Sequence, residues 1–164
     1  MKKVRGLIVA ILCMVISVTG CQNTEKQQEQ TVDLQQLEKD MLAADTTLPK
    51  MDICSSEDSD AELNFLMLSE ESYDMVEEYF YAYAADGSAQ EIAVVRVKDP
   101  ADVAVMMSSL SDHIDTRTGT MREYAPEQAT LTEQAVLTRE GSYITLIISE
   151  KNGLVQQAFE EAFD

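Results

Sequence analysis

The sequence predicts an α+β domain in which an antiparallel sheet of two hairpins packs against helices, in the order α-ββ-α-ββ-α, after a signal peptide. Two pairs of strand-like segments are each joined by a short turn that contains glycine. Three further segments repeat apolar residues with helical spacing. A cationic start followed by an apolar run precedes them all, which is typical of an export signal.

The signal peptide is predicted over residues 1–20. Its apolar run, "GLIVAILCMVISV", is shorter than the roughly 20 apolar residues that a membrane-spanning helix needs. Three cations precede that run: Lys2, Lys3 and Arg5. The end of the signal peptide and the next residue resemble the lipobox of bacterial lipoproteins, with an aliphatic residue, a small polar residue, glycine and cysteine: Val18, Thr19, Gly20 and Cys21. The resemblance implies a diacylglyceryl group on the Cys21 thiol and cleavage of the peptide bond after Gly20.

Lipidation at Cys21 would make the membrane the first partner of the protein. Each buried methylene contributes about 0.8 kcal/mol, so two acyl chains hold a protein far more firmly than one. Residues 21–32 follow as a lipidated cysteine and a flexible tether, because "QNTEKQQEQTV" is polar and has no apolar period. An uncleaved anchor or an ordinary secretory signal is the alternative interpretation.

Residues 33–164 are predicted to form a single acidic domain, since they are enough for one core. The first helix is predicted behind a capping Asp33, where apolar residues recur with helical spacing: Leu34, Leu37, Met41 and Leu42. Residues 48–62 are predicted to be a loop, because they contain Pro49 and many serines and acids.

The first hairpin is predicted from "VEEYFYAYA" and "QEIAVVRV", which turn at Asp86 and Gly87. The second of these strands is apolar on both faces, so we expect it at the centre of the sheet. In the first strand Tyr79, Tyr81 and Tyr83 share one face. They form either a ligand or interaction surface, since tyrosine combines apolar area with a polar tip, or a core face that helices cover.

A second helix is predicted from Asp99, which caps it, with Pro100 at its first position. Its buried stripe consists of apolar residues at helical spacing: Val103, Met106, Met107, Leu110 and Ile114. Residues 118–130 are predicted to be a loop.

The second hairpin is predicted from "LTEQAVLTR" and "SYITLIIS", which turn at Glu140 and Gly141. Asn152 is predicted to cap the last helix, "GLVQQAFEEAFD". We expect the three helices to cover one common face of the sheet, in two layers.

Three segments of the domain, "MVEEYFYAYAADGSAQEIAVVRVKD", "EYAPEQ" and "QAVLTREGSYITLIIS", are similar to an uncharacterised bacterial lipoprotein family. This family is catalogued as domain of unknown function 4358 and is of the clostridial Firmicutes type. The resemblance extends over nearly all of the exported chain and implies its fold and its location. That location is the outer face of the cytoplasmic membrane, with a Gram-positive envelope assumed. The family has no established activity, so the resemblance implies none.

The charge of the chain restricts its partners. The formal net charge of −18 includes three signal-peptide cations, so the chain from Cys21 onward carries −21. Such a body repels nucleic acid phosphates and an anionic bilayer surface, which excludes nucleic acid as a partner. Cations or basic surfaces are the expected partners.

No residue is predicted to be catalytic, and no cofactor or metal is predicted. Cys54 stands among acids that raise the pKa of a thiol, so it is a poor nucleophile. His113, the single histidine of the chain, has no "GxSxG" motif beside it and is interpreted as a solvent-facing helix residue. Zinc would need more nitrogen or sulfur ligands than these two residues supply.

An acidic loop is the candidate for divalent-cation binding through carboxylate oxygens: Asp52, Glu57, Asp58, Asp60 and Glu62. The EF-hand pattern requires glycine at its sixth place, where Glu57 stands. Weak cation binding therefore remains an alternative to an ordinary solvated charge run.

Two classes of function follow. A lipid-tethered binding or interaction module, with a protein, peptide or cell-wall partner, is favoured because the chain has no P-loop or glycine-rich nucleotide motif. A cell-surface hydrolase, using carboxylates with a cation or a Ser or Cys54 nucleophile, is the alternative. A deep pocket with His113, a hydroxyl and a carboxylate within hydrogen-bond reach would indicate the enzyme, whereas a shallow surface lined by carboxylates would not.

Overall fold

The computed structural model describes residues 31–164, in which a five-stranded antiparallel sheet has helices on both faces. The strands are β1 (Met51–Ser55), β2 (Val76–Ala84), β3 (Glu91–Val97), β4 (Val136–Glu140) and β5 (Tyr143–Ile148). The helices are α1 (Leu34–Ala44), α2 (Ala61–Phe65), α3 (Val103–Tyr124), α4 (Ala129–Glu133) and α5 (Asn152–Glu161). The predicted signal peptide, the lipobox and Cys21 lie outside the described residues. Each helix within residues 31–164 is too short or too polar to span a bilayer.

The sheet confirms the predicted α+β class and both predicted hairpins. Its strand order is β1-β2-β3-β5-β4, so β3 lies at the centre, as its apolar residues on both faces indicated. Gly87 and Gly141 occupy the two hairpin turns with φ of +80° and +57°. Glycine reaches these positive φ values without the steric cost that a Cβ would add.

Helices cover both faces of the sheet, so the prediction of two layers is wrong and the domain has three. On one face α2, α3 and α4 pack against side chains that include Tyr79 and Val95. On the other face α1 and α5 pack against side chains that include Phe80 and Val94. Consecutive residues of a strand point to opposite faces, and here both sets are apolar. A sheet of this kind needs cover on both sides to remove its apolar surface from water.

The predicted loop over residues 48–62 is wrong, because it contains β1 and the first residues of α2. β1 is an edge strand that pairs antiparallel with β2, and Cys54 lies opposite Tyr81. The backbone hydrogen bonds to β2 stabilise this strand although its side chains do not alternate regularly between apolar and polar.

The predicted loop over residues 118–130 is helical except for residues 125–128, and the start of the third predicted strand is also helical. α3 continues to Tyr124 because Thr118 and Met121 lie on its buried face. α4 occupies the first residues of "LTEQAVLTR", so β4 begins only at Val136. Burial against the sheet overrides the weak helix propensity of this threonine- and glycine-containing stretch.

Side chains cap two of the predicted helix starts. Asp33 accepts hydrogen bonds from the backbone N–H groups of Gln35 and Gln36, and Asp99 accepts one from that of Ala101. The prediction that Asn152 caps α5 is wrong. Its side chain accepts a hydrogen bond from the Ser149 N–H and donates one to the Gln134 carbonyl at 2.7 Å, which joins α5 to the chain before β4.

Asp45 is a buried carboxyl that connects the end of α1 to the end of β5. It accepts hydrogen bonds from the N–H and hydroxyl of Thr47, at 2.8 and 2.6 Å, and from the Ser149 hydroxyl at 2.5 Å. Burial disfavours its charge, but these hydrogen bonds outweigh burial and lower the pKa of Asp45 below its usual value. Its charge therefore stabilises the fold above the unfolded-state pKa, and this contribution is lost as the pH falls through the lower folded-state pKa.

We expect Asp45→Asn to lower the free energy of unfolding by about 2 kcal/mol at pH 7, because hydrogen bonds to a charged acceptor are replaced by weaker ones. The difference from the parent protein should shrink as the pH falls below about 4, where the carboxyl is increasingly protonated in both states. Urea unfolding at several pH values measures both quantities. The exposed Asp115 on α3 provides a control variant, Asp115→Asn. If Asp45→Asn lowers the free energy of unfolding equally at neutral and acid pH, the charge of the Asp45 carboxylate is not what stabilises the fold.

Candidate functional site

A groove of about 730 Å³ lies between α3 and the segment that follows α2. One wall is the outward face of α3 over residues 104–116, and the other consists of residues 66–71. We call this feature the α3 groove. It is the candidate binding site because of the side chains that it exposes.

Three large apolar side chains of the α3 groove are in contact with solvent. Leu66, Met67 and Val105 are 57%, 46% and 42% exposed. Within residues 31–164 only four other large apolar side chains are exposed, and none of them lines this groove. Single exposed apolar residues are normal on a protein surface, whereas several that share one concave site indicate an interaction surface.

The wall formed by residues 66–71 is held to the core at both ends. Phe65 is buried with its ring centroid 5.1 Å from that of Tyr79, and the Tyr79 hydroxyl donates a hydrogen bond to the Ala61 carbonyl at 2.7 Å. Leu68 is also buried, and the hydroxyls of Ser69 and Ser109 are hydrogen bonded at 2.7 Å. This hydrogen bond joins the segment directly to α3. The two walls are therefore held at a set separation before any partner binds.

Behind the groove a buried carboxylate joins α3 to the sheet. Glu91, the first residue of β3, has a side chain only 3% exposed. One oxygen, Oε2, lies 2.7 Å from Nε2 of His113, and the other, Oε1, lies 2.8 Å from Nε of Arg117. Nη2 of Arg117 also donates to the Ser88 carbonyl at 2.6 Å, in the turn between β2 and β3. We call Glu91, His113 and Arg117 the Glu91 cluster.

The Glu91 cluster corrects the interpretation of His113 as a solvent-facing residue. Its side chain is 16% exposed, and it contacts the groove on one side and Glu91 on the other. The ring of Tyr81 lies edge-on at 6.0 Å from the imidazole. Burial, and then the charge of Glu91, raise the pKa of Tyr81, so its phenol stays neutral. The cluster fixes how α3 lies on the sheet and hence positions the helical wall of the groove.

The tyrosine row of β2 belongs mainly to the core. Tyr79 and Tyr81 are buried in the cluster of side chains beneath α2 and α3, and Tyr83 packs against that cluster while half-buried. This burial matches the second interpretation of the row, a core face that helices cover. Tyr79 and Tyr81 therefore do not present a ligand surface in this structure.

The carboxylates of the acidic loop are dispersed. Glu57 accepts a hydrogen bond from the Gln35 side chain, Asp58 from the Ser55 N–H, and Asp52 lies 3.7 Å from the Lys50 amino group. Asp60 precedes α2, and Glu62 lies in its first turn. Within the part of the chain that the structure describes, no three acidic, histidine or cysteine side chains are grouped to hold a metal ion.

Cys54 is buried in β1, where its sulfur lies 3.7 Å from the Tyr81 carbonyl oxygen. Burial is the main reason that the pKa of this thiol is raised, and the nearby Asp58 adds to it. A thiol in this setting has little thiolate at neutral pH, which is unfavourable for a nucleophile.

Residues 71–149 match the model of a family described as Domain of unknown function (DUF4358). The chain is similar to this family over residues 71–149. The match is narrower than the resemblance predicted from the sequence: it includes strands β2 to β5, α3 and α4. The matched residues contain the whole Glu91 cluster and the helical wall of the α3 groove, while α1, β1, the acidic loop and α5 lie outside them. Searches of curated proteins and of solved structures found no match.

Sequence reasoning did not find the Glu91 cluster, although two signals for it are present. Glu91 shares the strand face of Ala93 and Val95, so the alternation of β3 places a carboxylate on a core face. His113 and Arg117 are four residues apart and hence neighbours on one side of α3. A carboxylate on a buried face requires such partners, because an unpaired buried charge is strongly unfavourable.

Proposed function

We propose that this protein is a lipid-tethered extracytoplasmic binding module and that the α3 groove is its binding surface. The observation that carries the proposal is the grouping of exposed Leu66, Met67 and Val105 in one concave site. The diacylglyceryl group on Cys21 holds the module on the outer face of the cytoplasmic membrane.

The tether keeps the binding surface close to the membrane. The tether predicted from the sequence ends before Val32, because the Val32 N–H donates a hydrogen bond to the Tyr143 hydroxyl at 3.1 Å. A flexible chain of about ten residues spans on average about 17 Å, since its reach grows with the square root of its length. The partner is therefore a component of the cell envelope near the bilayer, such as a membrane protein with a segment outside the membrane. The charge of −21 from Cys21 onward keeps the domain itself away from an anionic bilayer surface.

The contacts of the described residues support binding over hydrolysis. The imidazole of His113 lies on the buried carboxylate of Glu91, and the Ser109 hydroxyl is bonded to Ser69. Cys54 is buried with a raised pKa. Ser108 and Asp112 line the α3 groove beside His113. A nucleophile and its base need to lie within hydrogen-bond reach of each other, and within residues 31–164 the imidazole is hydrogen bonded to Glu91 and to no hydroxyl.

We expect a photoactivatable amino acid placed at Val105 to yield a discrete cross-linked species in intact cells, because this position lies in the binding surface. Tyr124, which is exposed at the far end of the same helix, is the matched control position and should yield little of that species. Immunoblotting detects the product and mass spectrometry identifies the partner. Absence of any product from Val105, or an equal yield of the same product from Tyr124, would refute the groove as the binding surface.

A further inference from the structure

We infer that the occupant of the α3 groove is a basic amphipathic protein segment, with apolar side chains along one side and lysine or arginine beside them. This inference rests on the proposed function of the groove as a binding surface. It specifies which kinds of side chain the partner carries, and it derives them from the charges and shape of the groove.

The ionisable groups of the groove are almost all acidic. Its lining contains the carboxylates of Glu70, Glu71 and Asp112 and the imidazole of His113, and it contains neither lysine nor arginine. None of the ion pairs within residues 31–164 involves these three carboxylates. Their charge is therefore available to a partner. A cationic segment is attracted to this site, while an acidic segment or an anionic lipid surface is repelled.

The exposed apolar side chains of the groove indicate that the partner also carries apolar side chains. Leu66 and Met67 face Val105 across a concave site of about 730 Å³, which has room for a few apolar side chains. An amphipathic segment laid into such a groove buries its apolar side and leaves its charged residues at the rim. Methionine adapts its shape to different apolar partners because its side chain is flexible and polarizable.

The groove is organised before the partner binds. The Ser69–Ser109 hydrogen bond and the Glu91 cluster fix its two walls relative to each other and to the sheet. A surface that needs no ordering on binding loses less free energy on association. Binding should therefore depend mainly on the apolar and charged groups that the partner supplies.

Two synthetic peptides with the same leucine-rich apolar face, one with lysine and the other with glutamate on the polar face, test this inference. The mature lipoprotein is placed in nanodiscs of zwitterionic phosphatidylcholine, and binding is followed by fluorescence anisotropy with empty nanodiscs as the blank. We expect the lysine peptide to bind at least about ten-fold more tightly than the glutamate peptide, and its affinity to fall as salt is added.

Variants of the protein locate the binding. Glu70→Gln combined with Glu71→Gln and Asp112→Asn should lower the affinity for the lysine peptide by about ten-fold, because three attractive charges are lost. Asp115→Asn combined with Glu123→Gln and Glu127→Gln makes the same change in net charge outside the groove and should have little effect. Leu66→Ser combined with Val105→Ser should abolish binding of the lysine peptide, because it removes the apolar contact.

The outcomes separate this inference from the proposed function. Equal binding of the two peptides, binding of neither, or binding that survives Leu66→Ser with Val105→Ser would each overturn the basic amphipathic partner. If cross-linking from Val105 still identifies a partner in cells, the groove stands as a binding surface and only the partner's chemistry is wrong. If that cross-linking fails as well, the proposed function is also refuted.

Discussion

Replacing Glu91 with glutamine is expected to lower the free energy of unfolding by about 3 kcal/mol, because breaking a buried ion pair leaves its partner without a counter-charge. Arg117 is largely buried and lies 2.8 Å from the Glu91 carboxylate, so it would keep its charge in a setting poor in water. His113 would lose a charged hydrogen-bond acceptor at the same time. Such a loss is a large part of the 5–15 kcal/mol that typically separates folded from unfolded states.

Urea unfolding of the purified variants measures this effect. Glu77→Gln is the matched control, since it makes the same chemical change at an exposed position of the neighbouring strand β2. It should alter the free energy of unfolding by less than about 0.5 kcal/mol. Combining Glu91→Gln with Arg117→Gln should cost less than the sum of the two single changes, by about 1 kcal/mol or more, because the residues share one interaction. Additive effects would show that the pair is not coupled.

Replacing Cys21 with serine is expected to eliminate the lipid completely, because the proposed transfer of a diacylglyceryl group requires a thiol and a hydroxyl does not substitute for it. Processing after Gly20 should stop as well, since the lipobox resemblance implies that cleavage follows lipidation. Cells supplied with an alkynyl fatty acid would label the parent protein and leave the variant unlabelled. Mass spectrometry of the membrane fraction would show a lipidated chain starting at Cys21 for the parent protein alone.

Cys54→Ala is the matched control for the loss of the lipid label, because it removes the only other cysteine outside the predicted signal peptide. It should retain the label and the same mature start. Persistence of the label in Cys21→Ser, or a parent chain that begins at Cys21 without added lipid mass, would remove the membrane anchor from the proposed function. The groove could then still bind a partner, but no lipid would keep it beside the membrane.

The candidate site was less predictable than the fold, for reasons that particular residues illustrate. Hairpin turns at Gly87 and Gly141 depend on neighbouring residues, so local patterns were enough to find them. The α3 groove depends on the short helix α2, which has five residues and no side-chain cap. An isolated helix of that length is unstable, so its presence depends on the packing of Phe65 beneath it.

The sequence by itself determined the α+β class, the central position of β3 and the strongly acidic character of the domain, because each follows from local periodicity or from composition. It also predicts the lipid anchor, through residues 18–21. Only the tertiary structure decided that the sheet is covered on both faces, that Glu91 meets His113 and Arg117, and that Leu66 and Val105 share a groove. Those arrangements join residues that are far apart in the chain, and their pairing depends on which helix packs on which face of the sheet.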